Sequence, residues 1–388
     1  MQGKVLQRIL VCPDSFKGSL SAVQAADSLA KGIRQVLPEA LIEPIPLADG
    51  GEGTLEALLM ALGGERKHLP VTGPLGEPVA AEYGVLGQIA LIELAQAAGL
   101  TLVPPDQRDP SRTTTYGLGE LIRAACQEPV AEIWVGLGGS ATVDGGAGMA
   151  QALGYRLLDK AGAPIGLGGG ALAQVQRILP PERPIWQGKR IRGLCDVNNP
   201  LTGPWGAATV FGPQKGATPA QVQQLDQALA HWATIVERDL GPAVDRIPGA
   251  GAAGGVGAGL IAYLGATLES GSQRILGQCH LQEQMQQCDL IVTGEGCLDE
   301  QSAMGKVVGG VLEQAIRARK PLLILCGQVT PAARAWLAAQ PLPIGVGAIC
   351  DEIPNVAEAQ RQAGQYLEQL AAQKLRWVLA KGLGIGQV

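Results

Sequence analysis

Small polar residues, acids and lysines cluster in five short segments of the 388-residue sequence. Each segment follows a short apolar run with the length and composition of a buried β-strand. Ligands in open α/β sheets bind beyond the carboxyl ends of the strands, so the segments are candidate site positions. One acid alone would more often cap a helix, but five clusters together indicate a binding site. The segments are PDSFKGSLS from residue 13, ADGGEGT from 48, GGSATVDGG from 138, CDVNNPLTG from 195 and TGEGCLDEQSAMGK from 293.

These residue types suit phosphoryl transfer, which asks a protein mainly for positioning and for neutralisation of charge. Carboxylates are the hard oxygen ligands that Mg²⁺ prefers, and lysine ammonium groups bind phosphate as point charges. Three glycine-rich turns, beginning at Asp49, Asp144 and Ala253, each feed a helix. Because a helix start presents backbone N–H groups and the positive end of the dipole, such turns are candidate anion sites.

Other nucleotide-binding signatures are absent or incomplete. Gly305 and Lys306 lack the rest of a Walker A motif, because Val307 follows the lysine and Glu300 replaces the first glycine. Gly136, Gly138 and Ala141 follow a strand-like run, with Asp159 about twenty residues further on, which outlines a dinucleotide fingerprint. A dinucleotide-dependent oxidoreductase therefore stays open as an alternative, as does a non-enzymatic sensor that binds a small molecule.

Composition excludes several classes of protein. The net charge is −5, there are only 6 Trp, 5 Tyr and 2 Phe, and we find no basic stripe, so nucleic-acid binding is not expected. The 8 cysteines form no C-x-x-C pair, and without a secretory signal they indicate reduced thiols in a cytoplasmic protein. The uncharged stretch 249–268 is rich in Gly and Ala, and it predicts a glycine-rich turn and buried helix rather than a membrane span.

Strand-like and helix-like runs alternate along the chain, which predicts an α/β fold with largely parallel sheets. The N-terminal part has only two strands, whereas the C-terminal hundred or so residues supply three more. We therefore expect a discontinuous, doubly wound (Rossmann- or flavodoxin-like) parallel-sheet domain over residues 1–66 and 286–388. A second α/β domain, residues 67–285, is inserted in it, and the active site is expected in the cleft between the two.

The quoted segments, together with TTTYGLGELI, GPQKGA and GAGAAGGVGAGL, resemble the glycerate kinase family that makes 2-phosphoglycerate. They occur in order over nearly the whole chain. The resemblance implies a kinase that uses ATP and Mg²⁺ to phosphorylate D-glycerate, with two α/β domains. The residues by themselves do not distinguish the 2-hydroxyl from the 3-hydroxyl, so a glycerate 3-kinase giving 3-phosphoglycerate stays an alternative; the oligomeric state, monomer or dimer, stays open too.

Within this resemblance we assign individual roles from the chemistry of the residues. Asp196 is the favoured base, with Asp49 as its rival, and Lys17 is the favoured cation at the transferring phosphate. The glycerate carboxylate is bound by backbone N–H groups of Gly50 and Gly51 or of Gly138 and Gly139, with Arg112 and Lys215 as charged alternatives. The remaining predicted contacts are Ser15, Ser140 and Asn198 for substrate, Gly254, Gly255, Gly294, Glu295 and Lys306 for nucleotide, and Asp144, Glu295 and Asp299 for metal.

Overall fold

The computed structural model describes residues 6–299 and 306–381, which form two units. The second unit comprises Gly50–Leu55 and Gly64–Gly271, and the first unit comprises the rest of the described chain. The chain returns to the first unit at Ser272, earlier than the boundary at residue 286 suggested by the sequence. The reason is that helix Leu281–Gln287 packs against the first β-strand and helix Val307–Ala318, both in the first unit.

Fifteen strands and the helices between them make up the described α/β structure, which confirms the predicted fold class. The strands, in chain order, are β1 Arg8–Val11, β2 Leu41–Pro44, β3 Glu65–Thr72, β4 Pro78–Leu86, β5 Ile89–Glu93, β6 Glu132–Gly136, β7 Arg156–Leu158, β8 Arg177–Leu179, β9 Arg190–Leu194, β10 Thr267–Glu269, β11 Leu290–Thr293, β12 Cys297–Leu298, β13 Leu322–Cys326, β14 Gln328–Val329 and β15 Ile344–Ala348. The α-helices are Ala22–Arg34, Thr54–Leu62, Ala95–Ala98, Tyr116–Cys126, Ala147–Ala152, Ala207–Phe211, Pro219–Leu240, Ala252–Leu264, Gly271–Gln278, Leu281–Gln287, Val307–Ala318, Pro331–Ala338, Val356–Arg361 and Ala363–Lys381.

The first unit contains a five-stranded parallel sheet in the order β15-β13-β11-β1-β2. Strands β11 and β13 are buried along their whole length and are apolar except for Thr293, as expected for a parallel sheet covered on both faces. The strand order reverses next to β1, where β2 lies on one side and β11 on the other. In doubly wound sheets this reversal leaves a crevice beyond the carboxyl ends of the two diverging strands, and ligands bind there.

The second unit contains a six-stranded sheet in the order β10-β9-β6-β5-β4-β3. Strands β5, β6, β9 and β10 are parallel, whereas β3, β4 and β5 form an antiparallel meander. Strand β6 is buried along its whole length, and helices Tyr116–Cys126 and Ala252–Leu264 contribute to the same core. The carboxyl ends of β5, β6 and β9 therefore lie along one edge of this sheet.

Two helical segments need comment. The C-terminal helical region is divided into two helices, Val356–Arg361 and Ala363–Lys381, because Gln362 leaves the helical conformation at φ −120°. The predicted helix within 249–268 is confirmed as Ala252–Leu264, which is almost completely buried. In the part of the chain that the structure describes, no helix is both long enough and apolar enough to cross a membrane.

Candidate active site

A pocket of about 290 Å³ lies in the first unit at the reversal of strand order, and we call it the switch-point pocket. Hydrogen bonds beyond the strand ends bring its loops together, since Asp14 N donates to the Gly294 carbonyl and Leu47 N to the Pro13 carbonyl, at 2.8 and 2.9 Å. The predicted site residues that line it are Ser15, Lys17, Asp49, Glu295, Asp299 and Lys306. Six residues predicted from three sequence segments thus share one pocket.

Lys17 and Asp49 form an ion pair at the mouth of this pocket. Lys17 Nζ lies 3.5 Å from Asp49 Oδ2, and the exposed fractions of the two side chains are 77% and 22%. The negative charge of Asp49, followed by that of Asp14, raises the pKa of the Lys17 ammonium. The lysine is therefore charged at neutral pH and, being exposed, is able to turn towards a phosphate.

Asp14 is the pocket residue to which the sequence analysis gave no role. Its carboxylate is buried and accepts a hydrogen bond from Ser15 N at 2.6 Å. Burial, together with the nearby charge of Asp49, raises its pKa to about 7. A carboxyl group with a strongly raised pKa in a pocket is typical of functional sites. The signal was available, because Asp14 comes directly after a buried strand.

The donor groups of the pocket fit a magnesium–nucleotide complex. Within residues 6–299 and 306–381, no three His, Cys, Asp or Glu side chains are grouped so as to hold a metal ion by themselves. Mg²⁺ needs no such group, because it is usually bound by one or two carboxylates, several waters and the phosphates of the substrate. Lys306 lines the pocket and immediately precedes helix Val307–Ala318, whose N-terminus adds positive partial charge.

The predicted glycerate-binding glycines come together in the second unit. A Cβ on Gly138 would lie 2.4 Å from Gly51 Cα, and one on Gly136 would lie 2.3 Å from the Gly50 carbonyl oxygen. Only glycine permits this approach of the two loops. Gly139 is exposed beside them. The structure therefore packs the Gly50–Gly51 backbone against the loop after β6, with Gly50 buried and with Gly51 and Gly138 partly exposed.

The segment after β9 supplies the predicted base. Asp196 is half-buried, and Ser270 Oγ donates to its Oδ1 at 2.6 Å. Asn198 is exposed in the same segment, and Arg112 is exposed in a turn closed by its own N–H donating to the Asp109 carbonyl. A half-buried carboxylate that accepts from a hydroxyl and stays reachable from solvent is suited to accept a proton, so the structure is compatible with the predicted role.

Other predicted contacts are buried in a polar network of the second unit, which we call the Lys215 cluster: Lys215, Ser140, Thr142, Thr115 and Asp144. Asp144 is fully buried, and its carboxylate accepts hydrogen bonds from the N–H groups of Thr115, Gly146 and Gly148 and from the Thr115 hydroxyl. Burial raises its pKa. These bonds hold the turn before helix Ala147–Ala152, so the metal-binding role expected of Asp144 gives way to a structural one.

Lys215 is also buried, with only 2% of its surface exposed. Its Nζ donates to Ser140 Oγ at 2.7 Å and to the Thr142 carbonyl oxygen at 2.8 Å. Burial lowers the pKa of this ammonium to about 7, against the opposing charge of Asp144. This burial disfavours direct contact of Lys215 with glycerate, which was expected from the sequence.

Three of the predicted nucleotide-binding glycines serve backbone packing. A Cβ on Gly254 would lie 1.9 Å from the Thr142 carbonyl oxygen, and Gly255, at φ +90°, packs against Gly145 and Leu201. Both are buried within the second unit. Gly294 is buried behind the switch-point pocket, against the Leu325 carbonyl. The sequences around these glycines resemble phosphate-binding turns. Neighbouring backbone occupies the space beside each glycine, however, and such packing cannot be read from the sequence.

The described segment after β6 lacks the helix start that a dinucleotide-binding turn requires. After β6 the next helix begins only at Ala147, and Gly136 and Gly138 are occupied by contacts with Gly50 and Gly51. Asp159 accepts from Ala161 N and Ala163 N in an exposed turn. A helix N-terminus directly after the glycines, on which a pyrophosphate would rest, is missing from this described segment.

Several residues that line the switch-point pocket come from parts of the chain without a recognisable motif. They lie after β13, after β15 and in the two C-terminal helices: Gly327, Gln328, Ile349, Cys350, Val356, Ala359, Gln360 and Ala363. Cys297, at β12, adds an exposed thiol to the same wall. Only the packing of helix Ala363–Lys381 against β13 and β15 brings the distant segments here, and no local pattern signals it.

Comparison with known proteins finds similarity over nearly the whole chain. The family model described as "Glycerate kinase family" matches residues 9–379. A glycerate kinase from Halalkalibacterium halodurans is 46% identical over 94% of this chain and 97% of its own length, and a glycerate 2-kinase from Escherichia coli K12 is 47% identical over 83% and 86%. A crystal structure from Salmonella typhimurium LT2, described as a glycerate kinase 2, superposes with a TM-score of 0.83 at 42% identity, covering 97% of this chain and 99% of that one.

The doubly wound first unit and its charged pocket define an α/β enzyme of phosphoryl-transfer type. The chain belongs to the glycerate kinase family, and it is an enzyme, a kinase.

Proposed function

We propose that the enzyme transfers the γ-phosphoryl group of ATP, bound with Mg²⁺, to the 2-hydroxyl of D-glycerate. The products are 2-phosphoglycerate, ADP and the proton that leaves the hydroxyl. The observation that carries the proposal is the switch-point pocket, where Lys17, Lys306 and several carboxylates meet at the reversal of the first sheet. The name of the E. coli relative, glycerate 2-kinase, favours the 2-position. The predicted location of the active site between the two domains stays a prediction.

In this proposal each group has a task that its surroundings support. Lys17 neutralises charge on the transferring phosphoryl group, because it lines the pocket and is exposed and charged. Glu295 and Asp299 are the candidate ligands of Mg²⁺, which supplies neutralisation of the phosphate charge when bound. Asp196 accepts the proton of the glycerate hydroxyl, and the loops at Gly50–Gly51 and Gly138–Gly139 bind the carboxylate.

Phosphorus NMR of the product made from ATP and D-glycerate tests activity and regiochemistry together. In a proton-coupled spectrum a 2-phosphate gives a doublet, because C2 carries one hydrogen, whereas a 3-phosphate gives a triplet. We expect the doublet, and we expect no turnover when Mg²⁺ is removed by a chelator. A triplet would establish the 3-kinase alternative, and the absence of any product would refute the proposal.

The Asp196→Asn variant tests the base. Asparagine keeps an oxygen for Ser270 but has no negative charge, so kcat should fall about 10²- to 10⁴-fold while the melting temperature hardly changes. Asp159→Asn is the matched control, since its carboxylate also accepts hydrogen bonds but lies in an exposed turn. If Asp196→Asn retains most of its activity, Asp49 becomes the candidate base.

A further inference from the structure

When Lys215 is charged, it can only donate in its hydrogen bond with Ser140. An ammonium group has three donors and no acceptor, so Ser140 Oγ accepts and Lys215 Nζ donates, at 2.7 Å. The hydroxyl proton of Ser140 must then point away from the lysine, towards another acceptor. The buried cation thus fixes Ser140 as a hydrogen-bond donor and strengthens it by polarisation.

Ser140 is the least buried member of the Lys215 cluster. It is 7% exposed, whereas Lys215 is 2% and Thr142 0% exposed, and it directly follows the exposed Gly139. The same loop contacts the Gly51 backbone through Gly138, and the Glu52 carboxylate lies beside Gly139, where a Cβ would be 2.9 Å from Glu52 Oε1. A polarised donor therefore lies beside the backbone surface that the proposed function gives to glycerate.

The chemistry that best satisfies such a donor is an anionic oxygen. Carboxylate and phosphate oxygens only accept, and hydrogen bonds to a charged acceptor are about twice as strong as neutral ones. Negative charge bound at Ser140 would also favour the ammonium form of Lys215, whose pKa burial has lowered to about 7. Anion and buried cation would then stabilise each other through the hydroxyl.

We propose that Lys215 is a positioning residue that fixes the Ser140 hydroxyl as a donor to the carboxylate of glycerate. The inference rests on the proposed function and adds a specificity determinant to it, namely recognition of the charged end of the acceptor substrate. Lys215 does not touch the substrate; it acts through Ser140 alone. The anionic oxygen could also belong to a phosphate of the nucleotide. Separate measurements of KM for D-glycerate and for ATP distinguish the two.

Ser140→Ala removes the donor, and Ser140→Thr restores it. We expect Ser140→Ala to raise KM for D-glycerate about 10- to 100-fold, the usual worth of a hydrogen bond to a charged group. KM for ATP should stay within about twofold, and Ser140→Thr should lie close to wild type. Thr142→Val is the control, because only the backbone carbonyl of Thr142 accepts from Lys215. A rise in KM for ATP instead, or no rise in either, overturns the inference.

Lys215→Met, alone and combined with Ser140→Ala, tests the action through the hydroxyl. If Lys215 acts through Ser140, the double variant has about the same KM for D-glycerate as Ser140→Ala, so the two changes are strongly non-additive. If Lys215 had only a structural role, Lys215→Met would lower the melting temperature, and its effect on KM for D-glycerate would multiply that of Ser140→Ala. That result would refute the positioning role.

A substrate analogue keeps the inference testable if Lys215→Met fails to fold. Glyceramide replaces the carboxylate of glycerate by a neutral amide. The wild-type enzyme should have a higher kcat/KM for D-glycerate than for glyceramide. Ser140→Ala should reduce the ratio of these two values about tenfold or more, because the lost hydrogen bond was made to the charged carboxylate. An unchanged preference overturns the inference while the kinase proposal stands; a wild-type enzyme that does not phosphorylate D-glycerate overturns the proposed function itself.

Discussion

The switch-point pocket and the Lys215 cluster contain the same kinds of group in opposite surroundings. In the pocket Lys17 is 77% exposed and pairs with Asp49 at 3.5 Å, so its pKa is raised. In the cluster Lys215 is buried, and desolvation lowers its pKa to about 7. Exposed groups keep the freedom to exchange their partners for a ligand, whereas buried ones are committed to fixed hydrogen bonds. Burial, more than residue type, decides which of these charges are accessible to a ligand.

Lys17→Ala should give the largest effect on activity in the pocket. Loss of a cation at the transferring phosphoryl group should lower kcat about 100-fold or more. The melting temperature should hardly move, because an exposed side chain buries little surface. Steady-state kinetics and thermal unfolding measure both, with Lys31→Ala, an exposed lysine paired with Asp27, as the control. A variant with normal kcat would remove the contrast between the two lysines.

Asp144→Ala should reverse this pattern. The substitution leaves the buried donors of Thr115, Gly146 and Gly148 without their acceptor, so the free energy of unfolding should fall by about 2 kcal/mol. The Mg²⁺ dependence of kcat in the folded fraction should stay unchanged. Denaturant unfolding and a Mg²⁺ titration of activity provide the measurements. A shifted Mg²⁺ requirement would return Asp144 to the metal site.

Asp14→Asn should stabilise the protein in a pH-dependent manner. The folded-state pKa of Asp14, about 7, lies above the ordinary value of about 3.9, so the folded state binds more protons between these values. Wild-type stability therefore falls as the pH rises from about 4 to 7, and asparagine removes this loss. We expect a gain on the order of 1 kcal/mol at pH 8 and a smaller one at pH 4. Equal differences at both pH values would contradict the raised pKa.

Thr142→Val should have the smallest effect. Within the described chain, the buried Oγ1 of Thr142 has no hydrogen-bond partner. Replacing an unsatisfied hydroxyl by a methyl of similar shape should change the free energy of unfolding by less than about 1 kcal/mol, in the stabilising direction. Chemical denaturation at neutral pH measures the difference. A clear loss of stability would mean that the hydroxyl has a partner in solution.

Two Asp-Gly-Gly turns show how far the sequence predicts the site. Asp49 and Asp144 precede the same dipeptide and follow similar apolar runs, so both were expected at the site. Asp49 lines the switch-point pocket, but Asp144 is fully buried. The difference arises because Thr115 and the turn after Asp144 fold over its carboxylate. Sequence patterns report which groups are available, and solvent exposure is a property of the neighbours.

The sequence by itself determined the alternation of strands and helices, the position of acids and lysines at strand ends, and the family. These depend on local composition and on long motifs, which are present in the chain before it folds. The tertiary structure decided which of these groups meet: β11 lies beside β1 across some 280 residues, so Glu295 joins Asp14 and Lys17 at one pocket. It also decided that Lys215 lies beneath Ser140, because two segments 75 residues apart pack without water between their polar groups. Contacts of that kind depend on long-range packing and desolvation, which no local pattern encodes.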